Sequence, residues 1–217
     1  MKHSAIEQEP AEAAGLCGGG IALVRQFAEN LGKHGEEWGL IGPDEAGRLW
    51  SRHLLNCALL APELDGNQAG ARLRVADVGS GAGLPGLVLA MIRPDIDFVL
   101  IEPLERRTRW LREQVESLGL SNVEVFTGRA EEYPNKRSFD VVTARAVKAL
   151  KGLIPWLEPL LVDGGRVLLL KGQRIEEEIT EAQTVLRKHK LIGAHSEILG
   201  LGKVAEPTRL FAATVER

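Results

Sequence analysis

An α/β architecture built on a mostly parallel sheet follows from three observations on the sequence. Beyond about residue 71, short runs rich in β-branched residues alternate with helix-length stretches, the rhythm of successive βαβ units. The run Val167-Leu168-Leu169-Leu170 is apolar throughout, as a strand covered on both faces must be. Gly79, Gly81, Gly83 and Gly86 cluster between the first strand-like run and the first helix-like stretch, where open parallel sheets bring backbone close to a ligand.

In chain order, residues 1–20 end in Gly18-Gly19-Gly20, show no periodicity and are expected to form a flexible N-terminal tail. From Ile21 the pattern changes: Ile21, Val24, Phe27, Ala28 and Leu31 recur at three- and four-residue steps. Leu49, His53, Asn56, Leu59 and Leu60 do so again after the turn at Gly42-Pro43-Asp44. Two or three helices are therefore predicted, an N-terminal helical extension over 21–70 whose last part, 62–70, reads as a connection. The remaining domain, 71–217, carries strands predicted at 73–78, 97–101, 123–126, 139–144 and 166–170. Helices are predicted at 86–92, 104–118, 147–161 and 174–189. Residues 191–199 and 209–215 add two strands without a convincing helix between them, a terminal hairpin-like pair. The sum is a seven-stranded sheet with helices on both faces.

Composition excludes several classes. The chain has 217 residues, 44% hydrophobic and 26% charged, near the average for globular proteins, so disorder and disulfide scaffolds are set aside. No apolar run approaches the roughly 18 residues of a membrane span, and the first fifteen residues lack the apolar core of a secretory signal, so a cytoplasmic protein is expected. Cys17 and Cys57 lack metal-ligand spacing; no metal site is predicted, and both are read as free thiols. A net charge of −3 argues against indiscriminate nucleic-acid binding but leaves room for a local basic face.

The glycine cluster carries the chemistry. Gly81, Gly83 and Gly86 satisfy the G-x-G-x-x-G spacing of dinucleotide sites, and Glu102 stands at the end of the next strand, where an acid can hold ribose hydroxyls. No Gly-Lys-Ser/Thr follows, so this is not a phosphate-binding P-loop. A nicotinamide cofactor and a tight turn without ligand both remain open on this pattern alone. Asp77, two positions before the first glycine, and the Glu102-Pro103 pair ahead of an Arg-rich helix give the stretch a closer likeness. It resembles motif I and the acidic ribose site of the Rossmann-like class I methyltransferases.

Further stretches narrow the resemblance. Asp77-Val78-Gly79-Ser80-Gly81-Ala82-Gly83-Leu84-Pro85-Gly86, Arg129-Ala130-Glu131-Glu132, Thr143-Ala144-Arg145-Ala146 and Leu170-Lys171-Gly172 occur in that order. Together they resemble the bacterial small-subunit ribosomal RNA guanine-N7 methyltransferases known as RsmG or GidB. The likeness spans residues 73–175, and His53-Leu54-Leu55-Asn56 extends it upstream. The chain departs from the family pattern in Asn56, where Asp is usual, in Leu84, where Phe is frequent, and in lacking an Asn-Leu-Thr stretch around 38–43.

The resemblance implies transfer of a methyl group from S-adenosyl-L-methionine to N7 of a guanine in 16S ribosomal RNA, free or in an assembling 30S particle. It implies that Gly79, Gly81 and Gly83 pass beneath the cofactor, that Glu102 holds its ribose, and that Leu84, Ala130, Glu131 and Arg145 are cofactor neighbours. Asp77 is expected to organise the loop or to hold the cofactor's amino group. Because guanine N7 offers a free lone pair at neutral pH, no acid/base catalyst is expected; Arg145 and Lys171 are the candidates for positioning. Residues 145–174 hold six cations against Glu158 and Asp163. Lys148, Lys171 and Arg174 are assigned from them to RNA binding, although a strand-end lysine such as Lys171 can equally snorkel to water. His53 is read as a satisfied structural histidine, and the four tryptophans mainly as core. The short apolar runs predict no membrane partner, and a monomer is expected. A methyltransferase with another acceptor, an NAD-dependent oxidoreductase and a non-catalytic nucleotide- or ribosome-binding module stay open as alternatives.

Overall fold

The computed structural model describes residues 5–65, 72–145 and 147–217. Residues 66–70 of the connection expected over 62–70, the domain boundary at 70–71, Ala146 of the Thr-Ala-Arg-Ala stretch and the first four residues lie outside the described residues; the connection's described start falls in a short 3-10 helix, Ala61–Leu64.

Seven strands form one sheet: β1 Arg74–Val78, β2 Asp97–Glu102, β3 Val123–Thr127, β4 Phe139–Arg145, β5 Leu161–Lys171, β6 Leu191–Leu199 and β7 Thr208–Val215. Their spatial order is β3-β2-β1-β4-β5-β7-β6. The first five are parallel, whereas β7 runs antiparallel to both β5 and β6. The terminal pair thus closes one edge as a hairpin, because the segment between β6 and β7 is too short for a crossover helix. β5 begins at Leu161, five residues before its expected start. Leu161 pairs with Phe139 ahead of a register irregularity, and Gly164, at φ 74°, lets the strand pass through residues that read as a turn.

Helices cover both faces. On one lie α1 Ala13–Cys17, α2 Ile21–His34, α3 Leu55–Ala58, α4 Gly86–Ile92 and α5 Glu105–Ser117. On the other lie α6 Leu150–Leu157 and α7 Ile175–Lys188. The stripe expected on α2 is the buried one, Val24, Phe27, Ala28 and Leu31. α7 opens on Glu176, Glu177 and Glu178 and closes on Arg187 and Lys188, charges that complement its dipole. A π-helix, Leu49–Leu54, runs directly into α3.

The expected flexible tail requires correction over its described part. Ala13 and Cys17 of α1 are fully buried, and Gly20 packs so tightly that a Cβ there would sit 2.4 Å from the Met91 carbonyl oxygen. Upstream, Glu7 accepts a hydrogen bond from the Ser51 amide at 2.9 Å, and Glu9 pairs with Arg25 at 2.7 Å. Three glycines in a row signal a loop by composition. Here Gly20 is the one whose missing Cβ lets the start of α2 approach α4, while a Cβ on Gly18 or Gly19 would meet nothing within 4 Å.

The strand order turns between β1 and β4, so the chain crosses to opposite faces on either side of that pair. A crevice opens beyond their carboxyl ends, where the glycine loop follows β1 and Arg145 ends β4.

Candidate active site

Residues 79–86 lead from β1 into α4. Gly79, Gly81 and Gly83 adopt φ values of 74°, 55° and 99°, a region that L side chains rarely enter. Beneath the loop, Trp110 Nε1 donates to the Ala82 carbonyl at 3.1 Å and Ser80 Oγ donates to the Asp77 carbonyl at 2.8 Å. Asp77 Oδ2 accepts the Gly86 amide at 2.9 Å, joining the end of β1 to the start of α4. Asp77 is fully buried. Desolvation pushes its carboxyl up to about 7, against the opposing pull of the Gly86 and Ser80 hydrogen bonds.

Glu102 ends β2 as expected, with its carboxylate only 2% exposed. One oxygen accepts the Gly81 amide at 3.0 Å and the other accepts the Leu104 amide at 3.1 Å. The acid therefore organises the glycine loop; it lines neither of the cavities beside that loop, and Arg107 Nη1 stands 3.9 Å from its Oε2.

Two cavities flank the loop. The smaller, about 300 Å³, lies over Val78 and Gly79 and is walled by Pro103, Ala130, Glu131 and Trp156. It brings together Gly79 with the adjacent Ala130 and Glu131, two separate stretches of sequence. Trp156 packs against the core on one side and, half-buried, forms a wall of this cavity on the other, with Lys148 Nζ 3.6 Å from its ring centre. The larger cavity, about 700 Å³, is lined by Leu84, Arg145, Lys148 and Lys171 from the sheet domain. Glu45, His53 and Asn56 from the N-terminal helices complete it. Val147 borders both cavities.

Arg145 reaches across from β4 to the π-helix. Its guanidinium donates to the His53 carbonyl at 3.3 Å and to His53 Nδ1, while His53 Nε2 meets Glu45 Oε2 at 2.5 Å. Burial and the Arg145 charge hold the His53 imidazole below its ordinary value, and burial pushes the adjacent Cys57 thiol up to about 11. Among the described residues, three buried polar atoms lack a hydrogen-bond partner: Asp77 Oδ1, Thr143 Oγ1 and Asn56 Oδ1. The first two belong to register partners on β1 and β4, under the crevice.

The basic stretch is rearranged by the fold. Lys171 neither snorkels nor offers a free charge: Nζ pairs with Glu178 at 2.7 Å and donates to the Lys148 carbonyl, with 10% of the side chain exposed. The same Glu178 oxygen accepts the Leu150 amide, so the pair ties β5 to the starts of α6 and α7. Arg174 pairs with Glu177 on the exposed surface and lines neither cavity. Arg166 lies at the middle of β5, lines neither cavity and donates to the Glu63 carbonyl. The six cations of 145–174 are therefore no single face; Lys148 remains at the cavity wall. Sequence order could not reveal the Lys171 pair, because Glu178 reaches it only through the packing of α7 beside β5, whereas Arg174 and Glu177 form an i,i+3 pair that local spacing does show.

A seven-stranded sheet of this order with a glycine loop at the β1 crevice defines a class I methyltransferase fold. It superposes on the tRNA (m1A58) methyltransferase TrmI from Aquifex aeolicus with a TM-score of 0.57 at 14% identity, covering 74% of this chain and 68% of that one. The chain belongs to the GidB family, rRNA small subunit methyltransferase G, whose pattern matches residues 21–203. It is 51% identical over 214 residues to the ribosomal RNA small subunit methyltransferase G of Clavibacter sepedonicus, covering 99% of each chain. It is likewise 51% identical over 210 residues to the protein of that name from Leifsonia xyli, covering 97% of this chain and 98% of the relative.

Proposed function

We propose that the protein transfers a methyl group from S-adenosyl-L-methionine to N7 of a guanine in small-subunit ribosomal RNA, as free RNA or within an assembling 30S particle. The observation that carries the reading is the pair of cavities meeting at the glycine loop, one small and apolar, the other wider, with charged side chains set among apolar ones. Such a pair suits a cofactor and an acceptor that must meet end to end.

The residues fit the cofactor. Positive-φ glycines expose backbone to the crevice, and a Cβ on Gly79 would come within 3.0 Å of Val147 at the junction of the cavities. Ala130, Glu131 and Trp156 would enclose an adenine, Glu102 would accept from ribose hydroxyls, and Leu84 would close the apolar side. When bound, the cofactor supplies an electrophilic methyl group on a sulfonium. Guanine N7 carries its own lone pair, so the protein has no proton to remove. What its residues contribute is geometry: holding the base edge within about 3–3.5 Å of the methyl replaces a bimolecular encounter. Arg145, with five N–H donors in a fixed plane, is suited to orient either partner, and Lys148 to meet a backbone phosphate. The paired Lys171 supports the wall of the acceptor cavity. A guanine whose Hoogsteen edge is open, in a loop or single strand, is the RNA form this cavity suits.

Incubation with isotopically labelled S-adenosyl-L-methionine and unmodified small-subunit RNA or subunits, followed by nucleoside analysis, tests the reading. Label in N7-methylguanosine is expected. Label in another nucleoside would overturn the acceptor, and tight S-adenosylhomocysteine binding without transfer would favour a binding module.

A further inference from the structure

We infer that Glu45 and His53 are positioning residues, a carboxylate–imidazole couple that locks the Arg145 guanidinium at the junction of the two cavities. The inference rests on the methyl-transfer reading for its kinetic consequence, but not for its geometry.

Proton bookkeeping fixes the arrangement. A guanidinium only donates hydrogen bonds and stays charged at any working pH, so His53 Nδ1, which it contacts, must be the accepting nitrogen. The single ring proton then sits on Nε2, where Glu45 Oε2 receives it at 2.5 Å. The carboxylate thus selects the tautomer whose free lone pair faces Arg145, as partners of functional histidines commonly do. The backbone completes the clamp: Arg145 also donates to the His53 carbonyl at 3.3 Å and the Arg52 carbonyl at 3.5 Å, both in the π-helix. These bonds set the plane of the guanidinium and leave further N–H groups for a bound molecule.

Glu45 is itself held. Its amide donates to the Gly42 carbonyl, and the 3-10 turn it opens, Glu45–Arg48, is tied to the π-helix by Glu7, whose amide donates to the Ala46 carbonyl and whose carboxylate accepts the Ser51 amide. Packing alone does not require such a couple, since an apolar side chain at residue 53 would fill the same wall. An imidazole with a carboxylate behind it at a cavity wall instead fixes a charge.

The couple has a pH signature. The charged groups facing His53 are Glu45 from the loop, Arg52 on its own helix and Arg145 from β4; Cys57 and Asp77 lie about Arg145. Protonating Nδ1 places an N–H against the guanidinium and breaks the contact. The locked state therefore holds above the depressed imidazole pKa and is lost as pH falls through it.

Nitrogen-15 NMR of the histidine-labelled full chain provides the first test, with the His53 signals assigned by loss in His53→Gln. At pH 7.5 we expect Nε2 protonated and Nδ1 bare; a protonated Nδ1 would overturn the inference whatever the enzyme's acceptor is. The second test is the pH profile of methyl transfer. His53→Asn keeps an oxygen near the Nδ1 position and should retain more activity than His53→Phe. For His53→Phe the rate should fall about 10- to 100-fold, the scale on which small misplacements cost rate. The acid limb of the wild-type profile should disappear in His53→Asn. An unchanged limb would assign it to another group, Asp77 foremost, and would overturn the positioning role. If the wild type transferred no methyl group to any ribosomal RNA, the proposed function would fail while the tautomer measurement still decided this inference.

Discussion

The two cavities beside the glycine loop are built in opposite ways. The smaller one is made by strand-to-helix turns of the sheet itself, each a short contiguous stretch: Gly79 after β1, Pro103 after β2, Ala130 and Glu131 after β3. The larger one is made where helices from the first third of the chain settle over the end of β4, bringing His53 to Arg145 across 92 residues of sequence. Backbone conformation shapes the first, and pairing of buried charges shapes the second. Substitutions should therefore fail differently on the two sides.

The largest effect is expected on the backbone side. In Gly83→Val, a Cβ would lie 2.3 Å from Leu87 Cδ1 at φ 99°. Strain of about 1–3 kcal/mol and overpacking of about 1–3 kcal/mol should weaken S-adenosylhomocysteine binding by about 100-fold or more. Calorimetry would check this, and wild-type affinity would remove the loop from the cofactor site.

Glu102→Ala should come next. It strips the Gly81 and Leu104 amides of a charged acceptor, and such bonds are worth about 1.5–3 kcal/mol each. Cofactor affinity should drop about 10- to 100-fold while the far-ultraviolet circular dichroism keeps its native form. A loss of stability alone, with unchanged affinity, would make Glu102 a loop brace without a ligand role.

Asp77 sharpens the comparison through pH. Its pKa rises from 3.8 unfolded to about 7 folded, so the buried carboxyl favours folding below about 4 and loses that contribution as pH climbs through 7. Asp77→Asn keeps an acceptor for the Gly86 amide. Between pH 4 and 8 its denaturant midpoint should decline less than that of the wild type, and equal declines would place the titration elsewhere.

The smallest effect separates Lys171 from Lys148. Lys171→Ala breaks the pair with Glu178 and should lower stability by about 1–3 kcal/mol, leaving the salt dependence of RNA binding unchanged. Lys148→Ala should preserve stability and reduce the log–log salt slope by about 0.7 on a single strand. The reverse pattern would return Lys171 to the RNA-facing role expected from sequence.

Read from sequence, the strands, the helices and the glycine loop emerge nearly in place, and so do Gly79, Ala130 and Glu131 as neighbours. Each depends on a local rule: period, turn chemistry, or the need for a residue without a Cβ. The errors share a cause. Gly18-Gly19-Gly20 reads as a loose tail because composition cannot show that α4 lies 2.4 Å from the place a Cβ at Gly20 would occupy. Lys171 reads as a free cation because Glu178 reaches it only when α7 packs beside β5, and the second role of Trp156, a cavity wall as well as a core contact, depends on where residues 128–131 fall.

By itself the sequence determined the α/β class, the position of the glycine loop and, through its motifs, the family. Only the tertiary structure decided which charges remain free, that residues 5–20 belong to the folded body, and that Glu45 and His53 stand behind Arg145. The physical reason is range: backbone conformation is set by residues a few positions apart, whereas the state of a buried charge is set by whichever distant group packing brings within about 3 Å of it.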